Sequence, residues 1–554
     1  MSLERLSRRS RAASGPAKAG DGIRQNSHKD SGTSCGVVVD GMFRSGIQIT
    51  EEISVGGSQR SIRNSSRDLT HDKVVGASGE VGVLHSSVDL WDSKTHGERR
   101  EDTRLDAEER RVGHGDGPKG LPTPDKVRKL QTTLYRKAKA DPSYRFWSLY
   151  GEILREDVLA EAWQRVSRNG GAAGVDGKTI DEIAATSEQL EKWLAELRAE
   201  LRDKCYSPSP VRRVLIPKAS GGQRPLGIPT VKDRVAQMAA YLVLMPIFEA
   251  DFHPHSYGFR PKRRAQQAVE AIRDTLRKGK TEVIDADLSK YFDTIPHSSL
   301  LRQLAKRISD GAVLSLIKQW LKAPVVEERE DGRRVCIGNR CGTPQGGVIS
   351  PLLANVYLNP LDHAVNQCAE RPTLIRYADD FVILCRPGQG ERLQARLHRW
   401  LNARGLELNT EKTRRFRVHH ESLDFLGFTT LWRDSKSERT KPYWHVQPSR
   451  QSQRRLRQSL KEMTHRRTHQ VETAVLVGHI NRLVRGWGNY FYHGNCSTVF
   501  SRTNEYARER LRIWLCRKHN GFISCRHRHY PARRLHEQYG LYQLPLTAPW
   551  KRPT

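Results

Sequence analysis

Nine cysteines are scattered through 554 residues with none of the paired spacings of a disulfide framework. That argues against a stapled secreted domain and for a reducing compartment. Long apolar runs are equally scarce. The longest, Val235–Phe248, is interrupted by Gln237 and Pro246 and is too short to span a bilayer. It is expected to form a buried helix, and no membrane partner is expected. The N-terminus carries Arg and Ser but no apolar core of a secretory signal. A cytoplasmic, bacterial-type setting is therefore expected in preference to an organellar one. Acidic residues are short too: 62 Asp and Glu against 94 Lys and Arg leave a formal charge of +32. Such an excess points to a polyanionic partner, most simply nucleic acid. It is also uneven, because residues 433–554 hold 25 Lys and Arg against seven Asp and Glu.

Residues 1–123 are rich in Gly, Ser and charge and poor in periodic apolar positions, so they are expected to form a low-complexity, disordered extension. From about 124 the texture changes. Val158, Leu159, Ala162, Trp163 and Val166 fall at helical spacing, as do Leu190, Trp193, Leu194, Leu197 and Leu201. The glycine-rich loop Asn169–Asp176 lacks the preceding strand and following helix of a dinucleotide fingerprint, and that reading is rejected. Val211–Ile216 and Arg224–Ile228 are expected as the two strands of a hairpin. Lys218 and Arg224 flank its tip, where they could close over phosphates. The bland alternative is a solvated basic turn.

Two short apolar stretches carry carboxylates in contexts where a charge is unexpected. Arg376–Cys385 reads Arg-Tyr-Ala-Asp-Asp-Phe-Val-Ile-Leu-Cys, two buried strands meeting at a turn that carries Asp379 and Asp380. Alone, such a pair is a solvated turn. With a third carboxylate on a neighbouring strand it becomes half of a two-metal site. Glu282–His297 offers that third group, since Val283 and Ile284 open a strand-like run bearing Asp285 and Asp287. Between the two lies Gly342–Asn355, where Gln345-Gly346-Gly347 allows close backbone approach. Ser350 and Pro351 then read as a capped helix start.

Together these stretches resemble the palm of a reverse transcriptase. The Tyr206–Pro229 hairpin, the Ser256-Tyr-Gly-Phe-Arg-Pro261 block and Gly342–Asn355 resemble group II intron reverse transcriptases in particular. Ile480–Phe491 (Ile-Asn-Arg-Leu-Val-Arg-Gly-Trp-Gly-Asn-Tyr-Phe) resembles the maturase-specific domain of the same intron-encoded proteins. The resemblance spans about residues 130–545 and rests on the collinear order of several blocks. It implies an α+β right-hand polymerase, with fingers and an antiparallel palm over 124–432 and an all-helical, basic thumb or maturase domain over 433–554.

By the same resemblance Asp287, Asp379 and Asp380 are the catalytic and metal-binding triad, holding two Mg²⁺ ions, while Asp285 and Asp293 are structural. Phe292, five residues past Asp287, crowds a ribose 2′-OH or is simply core. Gln345 packs on the nascent base pair, and Lys412 contacts phosphate or protonates the leaving group, against a solvated-lysine alternative. Arg260 contacts template or nucleotide, or pairs within the fingers. Arg454, Arg455, Arg457, Lys461, Arg466, Arg467 and Arg485 grip RNA, with Trp487, Tyr490, Phe491 and Tyr492 mostly core.

The implied partners are the group II intron RNA, a DNA target or primer, and dNTPs; oligomeric state stays open, a homodimer included. Cys516, His519, Cys525, His527 and His529 lack a second well-spaced pair, so zinc is set aside. No room is expected for the His-Asn-His endonuclease that some relatives carry. The competing functions are a splicing-only RNA-binding maturase with an inactive polymerase fold, and a non-intron reverse transcriptase from a retron or defence system.

Overall fold

The computed structural model describes residues 123–217, 223–328, 333–434 and 441–547. The expected extension over 1–123 therefore lies almost wholly outside the described residues, and so does Lys218.

The first layer is helical. Asp125–Ala140 and Glu156–Asn169 pack against Val231–Glu249 through Val127, Leu134, Val158, Leu159 and Ala162. Val231–Glu249 is buried on nearly every side, which accounts for its lack of a polar face. Pro246 sits in its last turn and leaves the Leu242 carbonyl without its helical N–H, and Gln131 Nε2 donates to that carbonyl at 3.0 Å instead.

Three sheets follow. The hairpin β1 (Val211–Pro217) and β2 (Gln223–Ile228) is antiparallel, with Arg212 opposite Ile228 and Pro217 opposite Gln223. It is extended by β4 (Val325–Glu328), parallel to β1, and by β5 (Arg334–Ile337), in the order β2-β1-β4-β5. The central sheet has the order β6-β7-β3-β8, built from β3 (Glu282–Ala286), β6 (Thr373–Tyr377), β7 (Asp380–Cys385) and β8 (Arg414–Arg417). Every pair in it is antiparallel. Helix Ser350–Asn366 lies against β6, and Leu374, Phe381 and Ile383 share its apolar cluster.

The third sheet, β11-β10-β9, joins β9 (Leu423–Phe425), β10 (Phe428–Arg433) and β11 (Tyr443–Pro448). Leu426 and Gly427, both at positive φ, form the two-residue turn between β9 and β10, the left-handed geometry that matches strand twist. β11 corrects the expectation that everything past 433 is helical: Trp444 and Val446 alternate into the interior and pair the segment with β10. Beyond it the chain is helical, with Arg450–Met463, Thr473–Phe491 and Ser497–Lys518 as its long elements. Leu456, Leu460, Ile480, Val484, Trp487, Phe491, Phe500, Leu511 and Trp514 form a separate core there. No helix among the described residues is long and apolar enough to cross a membrane.

Candidate active site and nucleic-acid interface

The central sheet aligns the acidic segments by register. β6 and β7 pair with Tyr377 opposite Asp380, leaving Ala378 and Asp379 as a two-residue turn. The turn is thus one residue earlier than an Asp-Asp tip, and Ala378 takes the positive φ of 60°. β3 pairs with β7 from Glu282–Cys385 to Ala286–Phe381, so Asp287 follows at the same sheet end as Asp380. Asp285, two residues before Asp287, faces β8 and meets Arg414 at 3.3 Å.

Electrostatics confirm the crowding. Burial pushes the Asp379 carboxyl above its usual range and the charge of Asp287 adds to it, opposed by Arg224 and Arg376. Asp379 Oδ1 is buried and has no hydrogen-bond partner among the described residues. An orphaned carboxylate oxygen is costly unless something cationic completes it. Asp287 Oδ2 instead meets Lys412 Nζ at 3.0 Å. The contact is built in by the backbone: Asn409 N–H donates to Asp287 O, Ser289 N–H donates to Glu407 O, and Leu288 bridges Leu408. Among the described residues no three His, Cys, Asp or Glu side chains are gathered into a cluster that could hold a metal.

A second group faces the first. Arg224 Nε donates to Gln345 Oε1 at 2.8 Å, and Gln345 Nε2 donates to Asp293 at 3.2 and 3.3 Å. Gln345 O accepts Gly227 N–H at 2.6 Å. A Cβ on Gly346 would sit 2.2 Å from Gly227 O, so the glycine is required for this approach. Asp293 therefore anchors Gln345, and burial raises its carboxyl. Phe292 is 8% exposed and lies edge-on to Tyr291, with Thr343 N–H donating to Phe292 O. It is core in this state. The start of helix Ser350–Asn366 also differs from expectation: Ser350 is its first helical residue, and its hydroxyl donates to Pro344 O instead of capping.

Residues 216–430 match the family described as Reverse transcriptase (RNA-dependent DNA polymerase). Residues 453–531 match the Group II intron, maturase-specific domain. Two segments of the chain are thus similar to the reverse transcriptase and maturase-specific domains of group II intron-encoded proteins. Among curated relatives, Protein YkfC of Escherichia coli is 39% identical over 247 residues, covering 44% of this chain and 63% of the relative. Group II intron-encoded protein LtrA of Lactococcus lactis is 36% identical over 225 residues, covering 40% of this chain and 36% of the relative. The Uncharacterized 91 kDa protein in cob intron of Schizosaccharomyces pombe is 34% identical over 215 residues, covering 38% and 25%. The chain thus spans less than two thirds of each relative's length.

Helices Arg450–Met463 and Thr473–Phe491 turn most of their basic side chains outward, whereas Arg512 on Ser497–Lys518 is buried against Glu505 and Glu509. Arg454, Arg457, Lys461, Arg466, Arg467 and Arg485 are exposed and Arg455 is half-buried. Among the described residues none of the seven is ion-paired with a carboxylate. Arg457 lies over the Tyr506 ring and Arg485 over Tyr542, at 5.3 and 4.8 Å. Trp487 and Phe491 are core, and Tyr490 is tied by its hydroxyl to Leu426 O.

For Arg260 the structure favours the second of its two expected roles, a structural pairing, over a template contact. Its guanidinium is buried, forks onto Glu249 at 2.7 and 2.9 Å and donates to His253 O and Ser256 O. All its donors point inward, which removes it from the template contacts.

The residues that hold the Ala378–Asp379 turn carry no expectation from sequence. Arg376, fully buried on β6, pairs with Asp362 at 2.5 and 2.8 Å and donates to Asn355 Oδ1 and Ala378 O at 2.7 and 2.9 Å. Asn355 Nδ2 in turn donates to Gly258 O. A Cβ on Gly258 would lie 2.3 Å from Ala378 N. The available signal was a charge in each of two apolar runs: Arg376 within Leu374–Tyr377 and Asp362 beside Leu361.

Proposed function

We propose that this chain is an RNA-directed DNA polymerase encoded by a group II intron, and that it also grips its intron RNA to assist splicing. The primer, DNA target and dNTPs are the further partners, and the setting is a reducing cytoplasm, consistent with eight free cysteines among the described residues. The observation that carries the reading is the register bringing Asp287 level with Asp380 beside the orphaned oxygen of Asp379.

The donor type suits a divalent cation, although Asp287, held by Lys412, does not close a three-carboxylate cluster with the other two in this state. Carboxylate oxygens suit a hard ion such as Mg²⁺, and Asp287, Asp379 and Asp380 would hold it. Two such ions would activate a primer 3′-OH and neutralise the triphosphate. The chain's own residues supply the rest. Arg376 and Gly258 fix the turn. Arg224 directs positive charge toward Asp379 and the nucleotide side, and Gln345, held by Asp293, presents a rigid backbone loop. Lys412 neutralises Asp287 and lies where it could contact phosphate or donate a proton to a leaving group. Its pairing with Asp287 competes with a cation for the same oxygen. Arg454, Arg455, Arg457, Lys461, Arg466, Arg467 and Arg485 form an outward basic face suited to RNA phosphates.

The test is Asp379→Asn. Primer extension on an RNA template should be lost while RNA binding persists, and Mg²⁺ should raise the Tm of the parent chain but not of the variant. Extension at the parent rate would refute the site. A parent chain that binds RNA and aids splicing without extending primers would be a splicing-only maturase.

A further inference from the structure

The sheet end opposite the catalytic turn opens onto a concavity of about 750 Å³. Its lining includes His253, His255, Lys280, Gln367, Arg371 and Thr373, and none of the lining residues is acidic. Thr373 begins β6 and Tyr377 ends it at the turn, so the concavity lies roughly 13 Å along the strand from that turn. Two more cations stand at its edge. Lys278 follows helix Ala265–Arg277, and Arg386 follows β7. Lys280 Nζ donates to Thr373 Oγ1 at 2.6 Å. Among the described residues no carboxylate forms an ion pair with Lys278, Lys280, Arg371 or Arg386.

The nearest loop carboxylate, Glu370, is committed to Arg396 and Cys368, so the like charges around the concavity repel one another unless an anion offsets that cost. Burial and the charges of Lys278, Arg386 and Arg371 together hold the Lys280 ammonium below its usual range. Burial, with Lys278, Lys280 and Arg263, lowers His255 in the same way. The His255 ring is oriented at the opening by its Nδ1, 3.4 Å from Tyr257 Oη. The opening is far wider than a single phosphate needs, and its cations are spread across three segments of chain. That spacing suits a run of phosphates better than one small anion.

We propose that this concavity is a second nucleic-acid contact, holding the phosphodiester backbone of a single-stranded RNA segment away from the polymerase site. It rests on the reading of the chain as an RNA-binding protein.

The experiment uses the full chain and the triple variant Lys278→Gln, Arg371→Gly, Arg386→Gln. All three side chains are exposed, and Arg371 has a positive φ of 49° that glycine accommodates. Binding of a fluorescein-labelled oligouridylate is measured across a salt series. Loss of three phosphate contacts should flatten the log–log salt slope by about 2 and weaken binding about tenfold at low salt. Primer extension at saturating template-primer should be unchanged, which also shows that the variant folds. A 4-thiouridine-labelled oligomer should crosslink to peptides containing Pro254–His255 or Arg371–Thr373. An unchanged slope and affinity, or crosslinks confined to other segments, would overturn the proposal. So would loss of binding to phosphatidylglycerol vesicles with RNA binding intact, which would assign the concavity to lipid headgroups. A parent chain with no RNA affinity at all would instead refute the wider reading, and this one with it.

Discussion

Replacing Arg376 separates stability from positioning. Arg376 and Asp362 are both fully buried and joined by two hydrogen bonds. Arg376→Met leaves the Asp362 carboxylate buried without its partner, a change that typically costs about 3–5 kcal/mol. Urea denaturation should show a loss of that size with an unchanged m-value. Adding Asp362→Leu removes the stranded charge, and stability should return to within roughly 1–2 kcal/mol of the parent, since apolar replacements of buried pairs are often near neutral.

Activity should not return with it. The double variant still lacks the charged donor to Ala378 O, which fixes the turn that bears Asp379. A hydrogen bond from a charged group is worth about 1.5–3 kcal/mol. If that energy serves turn geometry in the transition state, kcat for primer extension should stay roughly ten- to hundredfold down. The assay is single-turnover extension at a temperature where both variants are folded, with KM for dNTP measured alongside. A double variant that regains full kcat would show that Arg376 only stabilises the fold.

Gly258→Ala should act on the same turn from the other side. Its Cβ would meet Ala378 N at 2.3 Å, so a drop of about 2 kcal/mol or more in unfolding free energy is expected, with primer extension reduced in the surviving folded fraction. Charge reversal of Arg454, Arg455 and Arg457 should weaken intron RNA binding and lessen its salt dependence while extension of a short template-primer persists; unchanged RNA affinity would contradict the thumb assignment. Burial and neighbouring positive groups depress His253 to about 4. The unfolded chain takes up that proton near pH 6.5, so stability should be intact above that value and fall as pH drops toward 4. His253→Asn should flatten this loss, which on partial burial is on the order of 2 kcal/mol; identical pH profiles would count against the assignment.

The acidic motifs were legible in the sequence because local patterning sets them. Short β-branched and aromatic runs around Asp287 and Asp379–Asp380 could pair only as strands, and the two-residue spacing forced a hairpin. The buried helix over Val235–Phe248 and the β1–β2 hairpin followed from the same local rules. Strands β4 and β5 carried no equivalent signal, being short, with β4 only partly buried and β5 mostly exposed. β11 was hidden inside a basic stretch, where charge masked the alternation of Trp444 and Val446.

Sequence by itself determined which residue types this chain has for its chemistry: three carboxylates in apolar contexts and a basic C-terminal stretch with few acids to balance it. Tertiary structure alone decided which of the many arginines act at the surface and which hold the fold. Arg260 and Arg376 look like any other cation in the sequence, yet each is buried against a carboxylate on the helix that precedes it. Their partners, Glu249 and Asp362, are set by helix packing and not by spacing along the chain. A guanidinium's role depends on which acids and carbonyls surround it, and that surrounding exists only after the layers have closed.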